Sequence, residues 1–120
     1  MGARARGESG AATAELALGI PLLVALTAGL VWMLAVGAAQ VRVIDASREA
    51  ARVVARGDDV AAAEAVAQRI APEGARISIA VGESEVVVTT DARVSGPGGL
   101  LGALPGVTVS ADATAVVEES

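Results

Sequence analysis

The stretch that decides the fold is residues 16–39, LALGIPLLVALTAGLVWMLAVGAA, which contain no charged residue. As an α-helix with a rise of about 1.5 Å per residue, this stretch extends about 36 Å. The hydrocarbon core of a bilayer is about 30 Å thick, so the stretch can cross a membrane with some tilt. Pro21 lies in its second turn and removes one hydrogen bond, which membrane helices tolerate.

The composition of the chain argues against an ordinary soluble enzyme. Hydrophobic residues make up 53% of the 120 residues but aromatic residues only 1%, and Cys, His and Lys are all absent. The chain therefore lacks a thiol nucleophile, the usual general base and a Schiff-base lysine. We predict no enzymatic activity and no bound cofactor. The net charge is −5 and the arginines are scattered. Without a basic stripe or an aromatic stacking surface, we also predict no nucleic-acid binding.

An amphipathic pattern continues the apolar stretch toward residue 56. Val43, Ser47, Ala50 and Val54 recur at helical spacing, and Gly57 is a suitable stop. This pattern is typical of a helix with a solvated charged face, so we predict one helix over residues 12–56. The charged face holds two opposite-charge pairs at i,i+3, which are Asp45 with Arg48 and Glu49 with Arg52.

The rest of the sequence predicts a small α+β domain. Residues 59–71 have an apolar stripe at helical spacing behind a possible Asp58 or Asp59 cap. After them the apolar period changes to two in three runs, at 76–81, 85–94 and 107–117. We predict a three-stranded antiparallel sheet covered by the one short helix. The expected organisation is a leader without regular structure at 1–10, a helix at 11–56 and this domain at 57–120.

The start of the apolar stretch carries the most informative spacing. Gly10, then five residues ending in Glu15, then the uncharged span, resembles the class III prepilin processing pattern, with Arg4 and Arg6 in the leader. On that resemblance a prepilin peptidase cuts after Gly10, and Ala11 becomes the new N-terminus. A carboxylate within a membrane span is costly, whereas the first turn of a helix favours an anion. Glu15 therefore has either an assembly role or an interfacial one.

Two segments resemble the TadE-like family, the minor pilins or pseudopilins of the tight-adherence (Flp), type IV-like pilus. They are ATAELALGIPLLVAL at 12–26 and DASREAARVVARGD at 45–58. The order of the later elements also resembles the family, so the resemblance extends over most of the chain and is closest to actinobacterial members. Major Flp pilins carry Glu-Tyr and are shorter, whereas Leu16 follows Glu15 here. This difference favours a minor pilin.

The resemblance implies a set of partners and a location. Glu15 would pair with the N-terminal amine of a neighbouring pilin. The partners would be the prepilin peptidase, other pilins and the membrane platform of the assembly machine. The protein would cross the plasma membrane once, with the N-terminus cytoplasmic and the C-terminal domain extracytoplasmic, and would reach the cell surface on assembly. We expect a sheet edge or the loop at 100–104 to contact partner pilins.

Three alternatives remain open on the sequence. Small residues at 37–39 permit cleavage before Gln40 by a conventional signal peptidase, which would leave a secreted domain. A single-span membrane protein without a pilus role has the same hydropathy pattern. Asp58, Asp59 and Glu64 could bind a cation, although capping and solvation explain these carboxylates equally well.

Overall fold

The computed structural model describes residues 2–96 and 106–117 of the chain. A long helix and a short helix precede three strands. Their bounds are α1 (Gly2–Ala55), α2 (Val60–Ile70), β1 (Arg76–Val81), β2 (Glu85–Val94) and β3 (Val107–Val116). This order of elements confirms the predicted α+β fold class.

Helix α1 begins ten residues earlier than the sequence predicted. We expected no regular structure at 1–10, but the helix already begins at Gly2, so that prediction was wrong. The leader contains no proline, and its Ala, Arg and Glu residues have high helix propensity. Extending an existing helix also requires far less ordering per hydrogen bond than nucleating one. The leader therefore continues the helix of the apolar stretch.

The chain divides into two compact units, residues 1–33 and 34–120. The first unit consists of the N-terminal part of α1. The second unit contains the remainder of α1 together with α2 and the sheet.

Helix α1 ends at the glycine that the sequence indicated. Gly57 has φ 97°. Its N–H donates to Val54 O at 2.9 Å, and the N–H of Asp58 donates to Val53 O at 3.2 Å. These two bonds form a Schellman motif, which satisfies carbonyls that a helix end otherwise leaves unpaired.

Helix α2 follows almost at once and is capped by one of the two predicted carboxylates. The Asp59 side chain accepts a hydrogen bond from Ala61 N at 3.4 Å. Ala63 and Ala67 of the predicted stripe are buried, and Val60 and Ile70 pack against the core from its margin. The stripe of α2 is therefore confirmed.

The three strands form one antiparallel sheet in the order β1-β2-β3. Ile79 pairs with Val88, which pairs in turn with Ala113 on β3. A turn at 82–84, between the first two predicted runs, joins β1 to β2, and Gly82 N–H donates to Glu85 O across it at 2.8 Å. Residues directly opposite each other share a face of the sheet. The inner face thus carries Val86, Val88, Thr90 and Ala92, all of which are buried.

The inner face of the sheet packs against two helices, not one. Val43, Ala46 and Ala50 of α1 are each 0% exposed, and they join one core cluster with the strand residues and with α2. The prediction of a single covering helix was therefore incomplete. The stripe at 43–54 was visible as a helical period, but a period does not show what the apolar face contacts.

The charged face of this part of α1 is exposed, as the sequence predicted. Within the described residues Arg52 pairs with Glu49 at 3.5 Å, whereas Asp45 and Arg48 do not pair with each other. The predicted Glu49–Arg52 pair is therefore confirmed, and the predicted Asp45–Arg48 pair is not. Exposed pairs of this kind contribute at most about 1 kcal/mol, so the difference has little effect on stability.

Candidate processing and assembly segment

The Gly10–Ala11 peptide bond lies on the surface of α1, in the first unit. Residues 7–18 are exposed without interruption. A Cβ atom built on Gly10 would meet no atom within 4 Å, and the backbone φ of Gly10 is not positive. Neither packing nor conformation in this chain requires a glycine at position 10. A requirement for glycine would therefore come from another protein that binds this segment.

One side-chain hydrogen bond spans the same peptide bond. The Thr13 hydroxyl donates to Ser9 O at 2.9 Å. A threonine that bonds back to the carbonyl four residues earlier slightly destabilises a helix, and Gly7 and Gly10 have low helix propensity as well. The Thr13 bond and the two glycines therefore lower the intrinsic stability of the helix around Gly10.

The structure brings Ala11 and Glu15 onto one face of α1. They are four residues apart, which is about one helical turn, or about 6 Å along the axis. The Glu15 side chain is exposed, and it forms no ion pair among the described residues. All three predicted site residues, including Gly10, thus lie within two turns of helix. An amine created at Ala11 would lie about one helical turn from the Glu15 carboxylate of the same chain.

Glu15 is followed by a helix that is apolar on every side. Its large side chains are exposed in all directions; for example, Leu18 is 77% exposed, Leu22 is 70% exposed and Val31 is 59% exposed. A helix that is hydrophobic all round belongs in a membrane or in a protein core. Among the described residues, one helix has the length and the apolar composition needed to cross a membrane. In the most apolar 18 residues of that helix, only 6% of the residues are buried.

Two of the three carboxylates considered as cation ligands have other roles. Asp58 pairs with Arg56 at 3.2 Å, and Asp59 caps α2. No group of three or more potential ligand residues occurs in the parts of the chain that the structure describes. The loop at 100–104 that we expected to contact partners lies outside the described residues.

The role of Ser47 was not visible in the sequence, where Ser47 is only a small member of the apolar stripe. Ser47 Oγ lies 2.7 Å from Thr90 Oγ1 and 3.0 Å from Ala111 O, and both hydroxyl residues are 0% exposed. These bonds join α1 to β2 and β3. A lone serine in an Ala/Val stripe was the signal that could have indicated a buried polar contact.

Comparison with known proteins agrees with the N-terminal part of the resemblance. A family model described as TadE-like protein matches residues 10–52. Comparisons with curated proteins and with solved structures gave no match. The matched region begins at Gly10, contains Glu15 and the apolar stretch, and ends before α2. The resemblance over the rest of the chain and to actinobacterial members therefore stays a prediction. Over residues 10–52, the chain is similar to TadE-like proteins.

Proposed function

We propose that this protein is a minor pilin, or pseudopilin, of a tight-adherence, type IV-like pilus. A prepilin peptidase removes residues 1–10, and the apolar part of α1 anchors the mature chain in the plasma membrane. The observation that supports the proposal most strongly is the agreement of three features at one place. The family match begins at Gly10, the processing spacing lies between Gly10 and Glu15, and an exposed apolar helix follows directly.

The proposed pairing of Glu15 follows from the cost of an isolated charge. A carboxylate among apolar helices is strongly destabilising unless it has a partner. The amine freed at Ala11 is a suitable partner, either within the chain or on a neighbouring pilin. Only pairing between chains links processing to assembly and fixes the axial position of one helix against the next. We therefore propose the neighbouring chain as the partner.

The proposed orientation follows from processing at Gly10. Arg4 and Arg6 lie about ten residues before the apolar stretch, and positive residues near a span favour the cytoplasmic side. Four arginines follow the span between residues 42 and 56, and only positive residues count in this rule, so charge alone does not set the orientation. A leader in the cytoplasm places residue 10 on the side where prepilin peptidases act, and it places the C-terminal domain outside.

The burial of Ala39 disfavours the secretory alternative. Ala39 is 6% exposed and belongs to the core cluster of the second unit, and Val36 packs against the same cluster. Cleavage before Gln40 would remove both side chains from that core.

The test of the proposed function is assembly in the native organism. Deletion of the gene should reduce surface pili, and full-length protein supplied in trans should restore them. The tagged wild-type protein should co-purify from membranes with the pilus assembly platform and with other pilins. Normal piliation in the deletion strain, together with the absence of these proteins from the purified sample, would contradict the proposal.

A further inference from the structure

The outer edge of β3 presents unpaired backbone groups. In the described part of the sheet β3 pairs with β2 on one side only. The N–H of Val117 donates toward β2, to Ser84 O at 3.0 Å. Successive peptide groups of a strand point in opposite directions. The N–H and C=O groups of Asp112, Thr114 and Val116 therefore point away from β2.

A second hydrogen bond supports this assignment and shows where the open edge begins. The side-chain amide of Gln40 donates to Ser110 O at 3.2 Å. Ser110 and Thr114 are an even number of residues apart on the strand, so the Ser110 carbonyl also points toward the outer edge. Helix α1 thus satisfies one outward carbonyl at residue 110, and the open part of the edge runs from residue 112 to residue 116.

A groove of about 380 Å³ follows that open edge, and we name it the β3 groove. One wall is the strand segment 113–116. The other wall is α1, which contributes Ala51 and Ala55 together with three arginines, Arg48, Arg52 and Arg56. The β3 groove therefore combines an open strand edge, a small apolar floor and a row of positive charges.

The spacing of the arginines matches the spacing of a strand. Arg48, Arg52 and Arg56 are four residues apart, so each is about 6 Å further along the helix axis than the one before. Side chains on one face of a strand repeat about every 6.6 Å. An extended segment in the groove with a carboxylate at every second position would place one carboxylate near each guanidinium group.

The present partners of these arginines are easily exchanged. Arg52 pairs with Glu49 at 3.5 Å with 67% of its side chain exposed, and Arg56 pairs with Asp58 at 3.2 Å with 54% exposed. Surface ion pairs are weak because water screens them. A carboxylate held by backbone hydrogen bonds beside the arginines would compete with them successfully.

We propose that the β3 groove binds an extended acidic segment of a partner protein as a fourth strand of the sheet. Backbone hydrogen bonds to Thr114 and Val116 would supply the pairing, and carboxylates at alternate positions would face the three arginines. The proposal does not depend on the pilus assignment, because it rests on the second unit alone.

A second copy of this chain fits the groove less well. If the β3 strands of two copies paired, the strand face toward α1 would carry Val109, Ala111, Ala113 and Ala115. None of these side chains offers a carboxylate to the arginines. Asp112 lies on the opposite face. Charge complementarity therefore favours a different, acidic partner.

The test uses the full chain in lipid nanodiscs and a labelled, capped nine-residue peptide in which Glu alternates with Thr. Fluorescence anisotropy should show binding by the wild type, and the affinity should fall as salt is added. A peptide with Lys in place of Glu should not bind. Amide exchange at Thr114 and Val116 should slow at least tenfold when the acidic peptide is present.

Two matched pairs of variants locate the site. Thr114→Pro removes an outward N–H in the groove, and Thr108→Pro removes one at the far end of the same edge, where proline is equally tolerated. The first should weaken binding at least tenfold and the second should not. If Thr114→Pro disturbs the fold, the triple variant R48Q/R52Q/R56Q should show the same loss, and R42Q/R69Q/R76Q, with the same change in charge, should not.

Four results would overturn the proposal. The first two are no binding of the acidic peptide at about 1 mM and equal binding of the Lys peptide. The third is an equal loss of peptide affinity in both members of either matched pair of variants. The fourth is crosslinking of two copies of the chain through β3 in place of peptide binding.

Discussion

Ser47 and Thr90 place two hydroxyl groups inside a core that otherwise consists of Ala and Val. Their side chains are 43 positions apart in the chain and 2.7 Å apart in space. Buried hydroxyl groups destabilise a fold unless they are hydrogen-bonded. The pair thus favours one axial position of α1 over the sheet, because sliding the helix would leave both hydroxyls unpaired.

Ser47→Ala should destabilise the second unit by about 1–3 kcal/mol, because it leaves the Thr90 hydroxyl buried without this partner. The double variant S47A/T90V removes both hydroxyls and should lie closer to the wild type than S47A alone. Urea denaturation of the full chain in detergent micelles, followed by circular dichroism, measures both. Additive losses in the double variant would show that the two hydroxyls do not act as a pair.

Glu15→Gln should reduce incorporation into the pilus complex while membrane levels stay unchanged. A charged hydrogen bond contributes about 1.5–3 kcal/mol, which corresponds to roughly a tenfold to 150-fold change in an assembly equilibrium. Glu8→Gln is the matched control, because Glu8 is equally exposed on α1 but lies in the leader.

Co-purification with pilus components, normalised to membrane abundance, measures the effect of Glu15→Gln. Processing of both variants should be checked by mass. Undiminished co-purification of a correctly processed Glu15→Gln chain would mean that Glu15 is only an interfacial anion.

For the helices and strands, the sequence predicted the features that depend on local backbone chemistry. Backbone preference and apolar period predict the C-terminal end of α1 at Gly57 and the start of α2 at Asp59. They also predict the turn at 82–84 and the three strands. The sequence did not predict that α1 packs against the sheet. The stripe at 43–54 has small side chains and a charged opposite face, a pattern equally suited to a solvated helix and to a helix on a sheet.

Gly57→Ala should destabilise the junction of α1 and α2 by about 1–2 kcal/mol, the usual penalty for an L-residue in the left-handed region. The reason is conformational and not steric, since a Cβ at Gly57 would meet no atom within 4 Å. Gly57→Asn should lose less, because Asn adopts positive φ more readily. Amide exchange near residues 53–58 reports both, and equal effects of Ala and Asn would contradict this explanation.

At the scale of the whole molecule, the candidate site was easier to predict than the second unit. Gly10, Ala11 and Glu15 form a linear motif, so their spacing in the sequence is already their spacing on a helix. The β3 groove is built from segments about 60 residues apart, and only the register of β3 beside α1 brings them together. The arginines were visible in the sequence as a charged face, but the strand edge beside them was not.

The intact mass of the protein extracted from native membranes tests cleavage after Gly10 directly. We expect a chain that begins at Ala11, and an uncut chain in cells that lack the prepilin peptidase. Gly10→Leu should block cleavage, whereas Gly7→Leu should not. Both glycines are exposed, and a Cβ at either position meets no atom within 4 Å. A chain that begins at Gln40, or an uncut chain in the wild type, would contradict processing by a prepilin peptidase after Gly10.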